Sequence, residues 1–161
     1  MHSAPLRSGL HVIFGAGPVG LALAQELVTK GQPARLVTRS GRGASLAGVE
    51  RVAADASDQA QAATAAAGAH VVYHAVGADY GHWAQLLPPI MTGLIHAASS
   101  ARARLVYADN LYAYGPVDGP LTEDLPPAAR GHEWPPASGA RKDVVGRPPL
   151  RKDAGNHWTC V

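Results

Sequence analysis

Residues 10–20 read Leu10-His11-Val12-Ile13-Phe14-Gly15-Ala16-Gly17-Pro18-Val19-Gly20. An apolar run ends here in the pattern Gly-x-Gly-x-x-Gly, and a helical pattern opens behind it. Leu10–Phe14 has the continuous apolar character of a strand buried on both faces of a parallel sheet. Positions 20, 23, 24, 27 and 28 then fall on one helical face. Pro18 suits a first helical position, and Gly31 closes the helix. In that setting the three glycines have separate tasks. Gly15 permits the tight turn, Gly17 lets a pyrophosphate approach the backbone, and Gly20 lets the helix lie close on the sheet. Gly15, Ala16, Gly17, Pro18, Val19 and Gly20 together form a candidate phosphate-binding turn, where free N–H groups and the helix dipole favour an anion. The plainer alternative is a strand–helix turn without a ligand.

Outward from this turn the alternation continues. Residues 35–38 and Val49–Ala53 read as second and third strands. Ser57 or Asp58 caps an Ala-rich helix that ends at Gly68. Residues 69–76 make a fourth apolar strand. Positions 86, 87, 90, 91, 94, 95, 97 and 98 give a second helical stripe, with Pro88 and Pro89 expected in its first turn. Residues 104–108 make a fifth strand. Strands alternating with helices require right-handed crossovers. The expected fold is therefore α/β: a Rossmann-like parallel sheet of about five strands with helices on both faces.

Composition sets the outer limits. The chain has 161 residues, including 31 Ala, 18 Gly and 13 Pro but only three Ile and one Phe, so its core must be built largely from Ala, Val and Leu. The formal net charge of +2 gives no argument for nucleic acid or an anionic membrane. A single cysteine, Cys160, excludes a disulfide framework and leaves a reducing, cytoplasmic setting as the expectation. No apolar run approaches the ~20 residues of a membrane-spanning helix. Residues 1–129 carry 8 Lys+Arg against 9 Asp+Glu, whereas residues 130–161 carry 6 against 3. The second stretch also holds two Pro-Pro pairs and no apolar periodicity. We expect one dinucleotide-binding domain over 1–129 and a poorly ordered Pro/Arg-rich tail over 130–161, either a shifted reading frame or a divergent end.

The end of the second strand bears on the type of dinucleotide. An Asp or Glu about 20 residues after the glycines usually holds a ribose 2′-hydroxyl. Here the residues are Thr38-Arg39-Ser40, with Arg42 close behind. A guanidinium can pair with a 2′-phosphate through two hydrogen bonds. The expected cofactor is therefore NADP, with NAD as the second choice; otherwise Arg39 is a solvated loop cation.

Two further stretches carry a family resemblance. Val71-Val72-Tyr73-His74-Ala75-Val76-Gly77 looks like the fourth strand of extended short-chain dehydrogenase/reductases. Leu105-Val106-Tyr107-Ala108-Asp109-Asn110-Leu111-Tyr112-Ala113-Tyr114-Gly115, followed by Thr122-Glu123-Asp124, resembles the strand-five segment of NAD-dependent epimerase/dehydratase proteins. The resemblance covers residues 10–127. It implies an NAD(P)-linked oxidoreductase or epimerase acting on a small molecule such as a nucleotide sugar or carbonyl compound. It further implies that Ala75 and Val76 lie against the nicotinamide ribose. Asp55 stands where the family often uses an acid against the adenine amino group, the alternative being an ordinary loop or cap residue.

Departures from the family pattern concern catalysis. Asn110 falls where the family has a catalytic Ser or Thr, and no Tyr-x-x-x-Lys pair follows residue 124. Asn110 and Tyr112 are the remaining catalytic candidates, with Tyr112 and Tyr114 either lining a cleft or packing. Weak or absent turnover is expected, since family members run to about twice this length and the chain reads as truncated. Two other readings stay open: a non-catalytic dinucleotide-binding or sensor module, and a fragment of an FAD-dependent monooxygenase, against which Thr38-Arg39 speaks. His70 and His74 have zinc-like spacing but sit on a strand without a third ligand, so no metal is expected. His82 and Trp83 follow the fourth strand and either meet substrate or anchor a surface loop.

Overall fold

The computed structural model describes residues 9–43, 45–109, 111–114, 119–122, 125 and 159–160. Its strands are β1 (Leu10–Phe14), β2 (Ala34–Thr38), β3 (Val49–Ala53), β4 (Ala69–His74), β5 (Arg104–Tyr107) and β6 (Thr159–Cys160). Its α-helices are α1 (Pro18–Thr29), α2 (Gln59–Ala65) and α3 (Trp83–Ala101). The strands form one sheet in the order β3-β2-β1-β4-β5-β6, and every pair is parallel. This is the expected Rossmann-like α/β architecture. The chain runs outward from β1 to β3, then returns to β4 on the other side of β1. The crevice for a ligand should therefore open above the carboxyl ends of β1 and β4.

Successive strand residues face opposite sides of the sheet, and each face has its own core. Ile13, Leu36 and Ala34 pack with Ala24 and Leu27 of α1. Val12, Phe14, Val72 and Leu105 pack on the other face with Ala62 and Ala65 of α2 and Met91, Leu94 and Ala98 of α3. Alanines fill the contacts of α2, which lets two helices crowd onto one face of a short sheet.

Of the two expected caps for α2 it is Asp58 that serves, as read, its carboxylate accepting from the N–H groups of Ala60 and Gln61. Several boundaries differ from the sequence reading. The helix stops at Ala65, and Ala66–Gly68 is a turn that Gly68 closes with φ +77°. Strand β4 ends at His74, two residues early. Pro88 and Pro89 lie inside α3 and not in its first turn. They cannot donate to the carbonyls of Ala84 and Gln85, at a cost of ~3 kcal/mol or more in an ordinary helix interior. The buried stripe of Leu87, Met91, Leu94 and Ala98 offsets this by fixing the helix on the sheet. Upstream, Trp83 begins the helix and donates its indole N–H to the Ala78 carbonyl at 3.0 Å. Arg102 ends α3 in the left-handed region, φ 54°.

In the tail, Thr159 and Cys160 pair with Val106 and Tyr107, so one short piece of regular structure stands where none was expected. The remainder of 130–161 lies outside the described residues. Among the described residues no helix is long and apolar enough to cross a membrane.

Candidate functional site

A cleft of about 540 Å³ opens over the carboxyl ends of β1, β2 and β4, within the usual size range of small-molecule sites. Its floor is Phe14–Gly17, and one flank is Val37, Thr38 and Arg39. The wall beyond β3 is Ala54, Ala56 and Ser57. Residues 75–79 form the opposite flank, and Leu86, Pro89 and Ile90 of α3 close the side.

The glycine turn is built as its spacing requires. The Gly15 N–H donates to the Val37 carbonyl at 3.0 Å, tying the turn to β2. Gly15 has φ +111°, and a Cβ there would lie 2.2 Å from the Ala75 carbonyl oxygen, so only glycine fits. A Cβ on Gly20 would lie 1.9 Å from the Gly15 carbonyl oxygen, which brings the first turn of α1 down onto the end of β1. Gly17 differs from both: a Cβ there would meet nothing within 4 Å. Its backbone faces open cleft at the start of α1, where no side chain caps the helix. Pro18 and Val19 form the exposed first helical positions. This is a backbone cradle that a diphosphate fits.

Arg39 is exposed on the cleft lip, and none of the described carboxylates forms an ion pair with it within 4.0 Å. The loop behind it is folded back on itself. Thr38 Oγ1 donates to the Arg42 carbonyl, the Arg42 N–H donates to Ser40 Oγ, and Gly41 returns its N–H to the Thr38 carbonyl. Arg39 therefore projects from a fixed support.

Asp55 sits beside the cleft with its carboxylate already engaged. Oδ1 accepts the N–H of Ser57 at 2.8 Å and its hydroxyl at 2.6 Å. These bonds, aided by the Arg39 charge, hold the Asp55 carboxyl below the ordinary carboxylate range. Ser57, not singled out in the sequence for this role, is the polar residue of that wall that lines the cleft.

At the exit of β4, Ala75 and Val76 line the cleft, and the Ala75 N–H donates to the Phe14 carbonyl at 2.8 Å. His74 is buried beneath them, 2% exposed, with its ring 4.8 Å from that of Tyr107. Burial pushes its pKa down to about 4. Its Nδ1 accepts the Val76 N–H at 3.3 Å, so the proton of the neutral ring is on Nε2. Asp79 lines the mouth and pairs with His82 Nδ1 at 2.6 Å. His70 and His74 find no third partner: among the described residues no group of three His, Cys, Asp or Glu could hold a metal.

Asn110 lies outside the described residues. Tyr112 is on the short 3₁₀ helix Leu111–Tyr114 that follows β5, and Tyr114 at its end is half-buried. Glu123 and Asp124 of the Thr-Glu-Asp triplet also lie outside the described residues.

A protein-family model described as NAD(P)H-binding matches residues 15–144. No match is found among curated proteins. Among solved structures, uronate dehydrogenase from Agrobacterium tumefaciens is similar with a TM-score of 0.72 and 19% identity, over 86% of this chain and 55% of that one. MoeE5 in complex with UDP-glucose and NAD gives a TM-score of 0.76 at 22% identity, over 94% of this chain and 53% of that one. The Bordetella bronchiseptica enzyme WbmH in complex with NAD+ gives 0.72 at 17% identity, covering 94% and 54%. The chain spans about half the length of each, and at these identities what it shares with them is the fold.

Proposed function

The chain belongs to the NAD(P)H-binding family, and from that premise we propose that its cleft takes an NADP dinucleotide in the service of an oxidoreductase or epimerase type of reaction. The observation that carries this reading is the combination of Gly17 and Arg39 on one cleft: open backbone at a helix start, and an exposed cation on the lip of the next strand. Gly15, Ala16 and Gly17, with Pro18, Val19 and Gly20 of the first helical turn, receive the pyrophosphate. Arg39 takes the ribose 2′-phosphate, which favours NADP over NAD. Asp55 and its partner Ser57 stand at the adenine end, and Ala75 and Val76 lie along the nicotinamide ribose.

A bound dinucleotide supplies or accepts a hydride. The chain's own part is to orient it and to manage the substrate proton. Asn110 can offer an amide hydrogen bond but no proton at neutral pH, which leaves Tyr112 as the candidate acid. The similar structure with UDP-glucose bound supports a nucleotide sugar as the substrate class, with a simple carbonyl compound as the alternative. Without a Tyr-x-x-x-Lys pair in this sequence, turnover by this chain is slow. The same absence favours a second reading, a dinucleotide-binding module without catalysis.

Titration with NADPH and NADH, followed by NADPH oxidation against nucleotide sugars, ketones and aldehydes, tests both. Tight NADPH binding without turnover supports the second reading. Turnover near 1 s⁻¹, an ordinary enzyme rate, assigns catalysis to this chain and makes Tyr112 the first residue to replace. Failure to bind either dinucleotide overturns both readings.

A further inference from the structure

The cleft wall beyond β3 is held from two directions before any ligand arrives. From behind, Gly93 in the middle of α3 presses on it: a Cβ at Gly93 would lie 2.0 Å from the Ala56 carbonyl oxygen and 3.1 Å from its carbon. Alanine is the better helix former, so glycine here stands against local preference, and the close approach requires it. Ile90 lies one turn earlier on the same helix and lines the cleft, as Ala56 does. The thickness of residue 93 therefore sets how closely α3, which carries Ile90, approaches the wall at Ala56.

The second restraint comes from α2. Gln61 Oε1 accepts the Asp55 N–H at 3.1 Å, and Gln61 Nε2 donates to Asp58 Oδ2 at 3.0 Å. With the two bonds from Ser57 to Asp55 Oδ1, the backbone from Asp55 to Asp58 is fixed along its length. The flank with Arg39 lies on the same side of Gly17 as this wall, so the half of a dinucleotide that carries the 2′-phosphate is the half that meets it.

We propose that Gly93 and Gln61 are positioning residues for the nucleobase end of the cleft, Gly93 by setting how closely α3 approaches Ala56 and Gln61 by fixing the backbone of the wall. Ala56 and Ile90 give this end of the cleft apolar lining and Ser57 gives it a polar group, a mixture that suits a heteroaromatic ring. Neither residue touches the ligand. The inference rests on the dinucleotide reading above, which supplies the base to be placed.

The test uses the full chain with Gly93→Ala and Gln61→Ala, titrated with NADPH and with adenosine 2′,5′-bisphosphate, and melted without ligand. Small misplacements at a binding wall cost about ten-fold to a hundred-fold. Gly93→Ala is expected to weaken both probes by about ten-fold or more. Gln61→Ala, an exposed site, should weaken both several-fold while its melting temperature stays within about 2 °C of wild type. A purely structural role would move the melting temperature and leave the affinity of the folded protein unchanged. If Gly93→Ala does not fold, Gln61→Ala decides alone. Unchanged affinities in the folded variants overturn the proposal while wild-type binding upholds the dinucleotide reading. A wild type that binds neither probe overturns both.

Discussion

The Gly15 carbonyl oxygen lies where a Cβ on Gly20 would have to be, 1.9 Å away. The two glycines are thus one device: the first bends the chain out of β1, and the second lets α1 settle on that bend. Gly17 stands between them with open space in front of it. Identical residues in one hexapeptide therefore have opposite tolerances, and substitution separates them.

Gly17→Val should leave the fold intact and remove dinucleotide binding, because its side chain would fill only the space a pyrophosphate needs. Gly20→Ala should instead destabilise the protein by about 1–3 kcal/mol, since the helix must lift from the strand. Thermal melts and NADPH titrations of both variants check this. Normal NADPH affinity in Gly17→Val would make the turn structural only.

Arg39→Ala should weaken NADPH and leave NADH nearly unchanged. A hydrogen bond to a charged group contributes about 1.5–3 kcal/mol, which corresponds to ten-fold or more in affinity. Calorimetry with both cofactors at one salt concentration is the measurement. Equal affinities in wild type, unaltered by the substitution, would remove the argument for NADP.

How much of this could be read from the sequence depends on the range of the cause. The turn at Gly15–Gly20 and the strand-helix alternation were legible because each residue acts within its own element. The stripe of Leu87, Met91, Leu94 and Ala98 was legible for the same reason, yet it concealed where α3 begins. Pro88 and Pro89 pointed to a first turn, but packing further along the stripe outweighed their local preference. Gly93 was illegible, since nothing around it in the sequence marks a contact with Ala56 from another element. The same holds for Ser57: its place on the cleft wall depends on Asp55 turning back to hold it.

Arg102→Gly should stabilise the chain. Arg102 closes α3 in the left-handed region at φ 54°, is exposed, and forms no ion pair among the described residues. That conformation costs a non-glycine residue about 1–2 kcal/mol, whereas glycine adopts it freely and loses about 0.5–1 kcal/mol through its more flexible unfolded chain. The net gain should be about 0.5–1 kcal/mol, raising the melting temperature by about 1–4 °C. Arg102→Ala, which keeps the strain, should show no such rise. Equal melting temperatures for the glycine and alanine variants would mean that the strain is relieved elsewhere.

His74 should make the fold acid-sensitive in a defined window. In the native state its ring stays neutral down to about pH 4, because burial disfavours the charge. In the unfolded chain an ordinary histidine takes a proton near pH 6.5. Between these values the unfolded state binds more protons, so stability rises with pH across the window and is fully present above about pH 7. From pH 7 down to pH 5 the contribution of His74 should be a loss of about 2 kcal/mol. His11, whose pKa burial also lowers, adds to the acid loss in the same direction but is unaffected by a change at residue 74. His74→Asn isolates the effect, since its amide oxygen can still accept the Val76 N–H but does not titrate. Urea unfolding of both proteins between pH 5 and 8 should give a shallower pH dependence in the variant, the curves parting below about pH 6.5. Parallel curves over that range would mean that the imidazole takes up its proton in the folded protein, and that the wall formed by Ala75 and Val76 can open to let it.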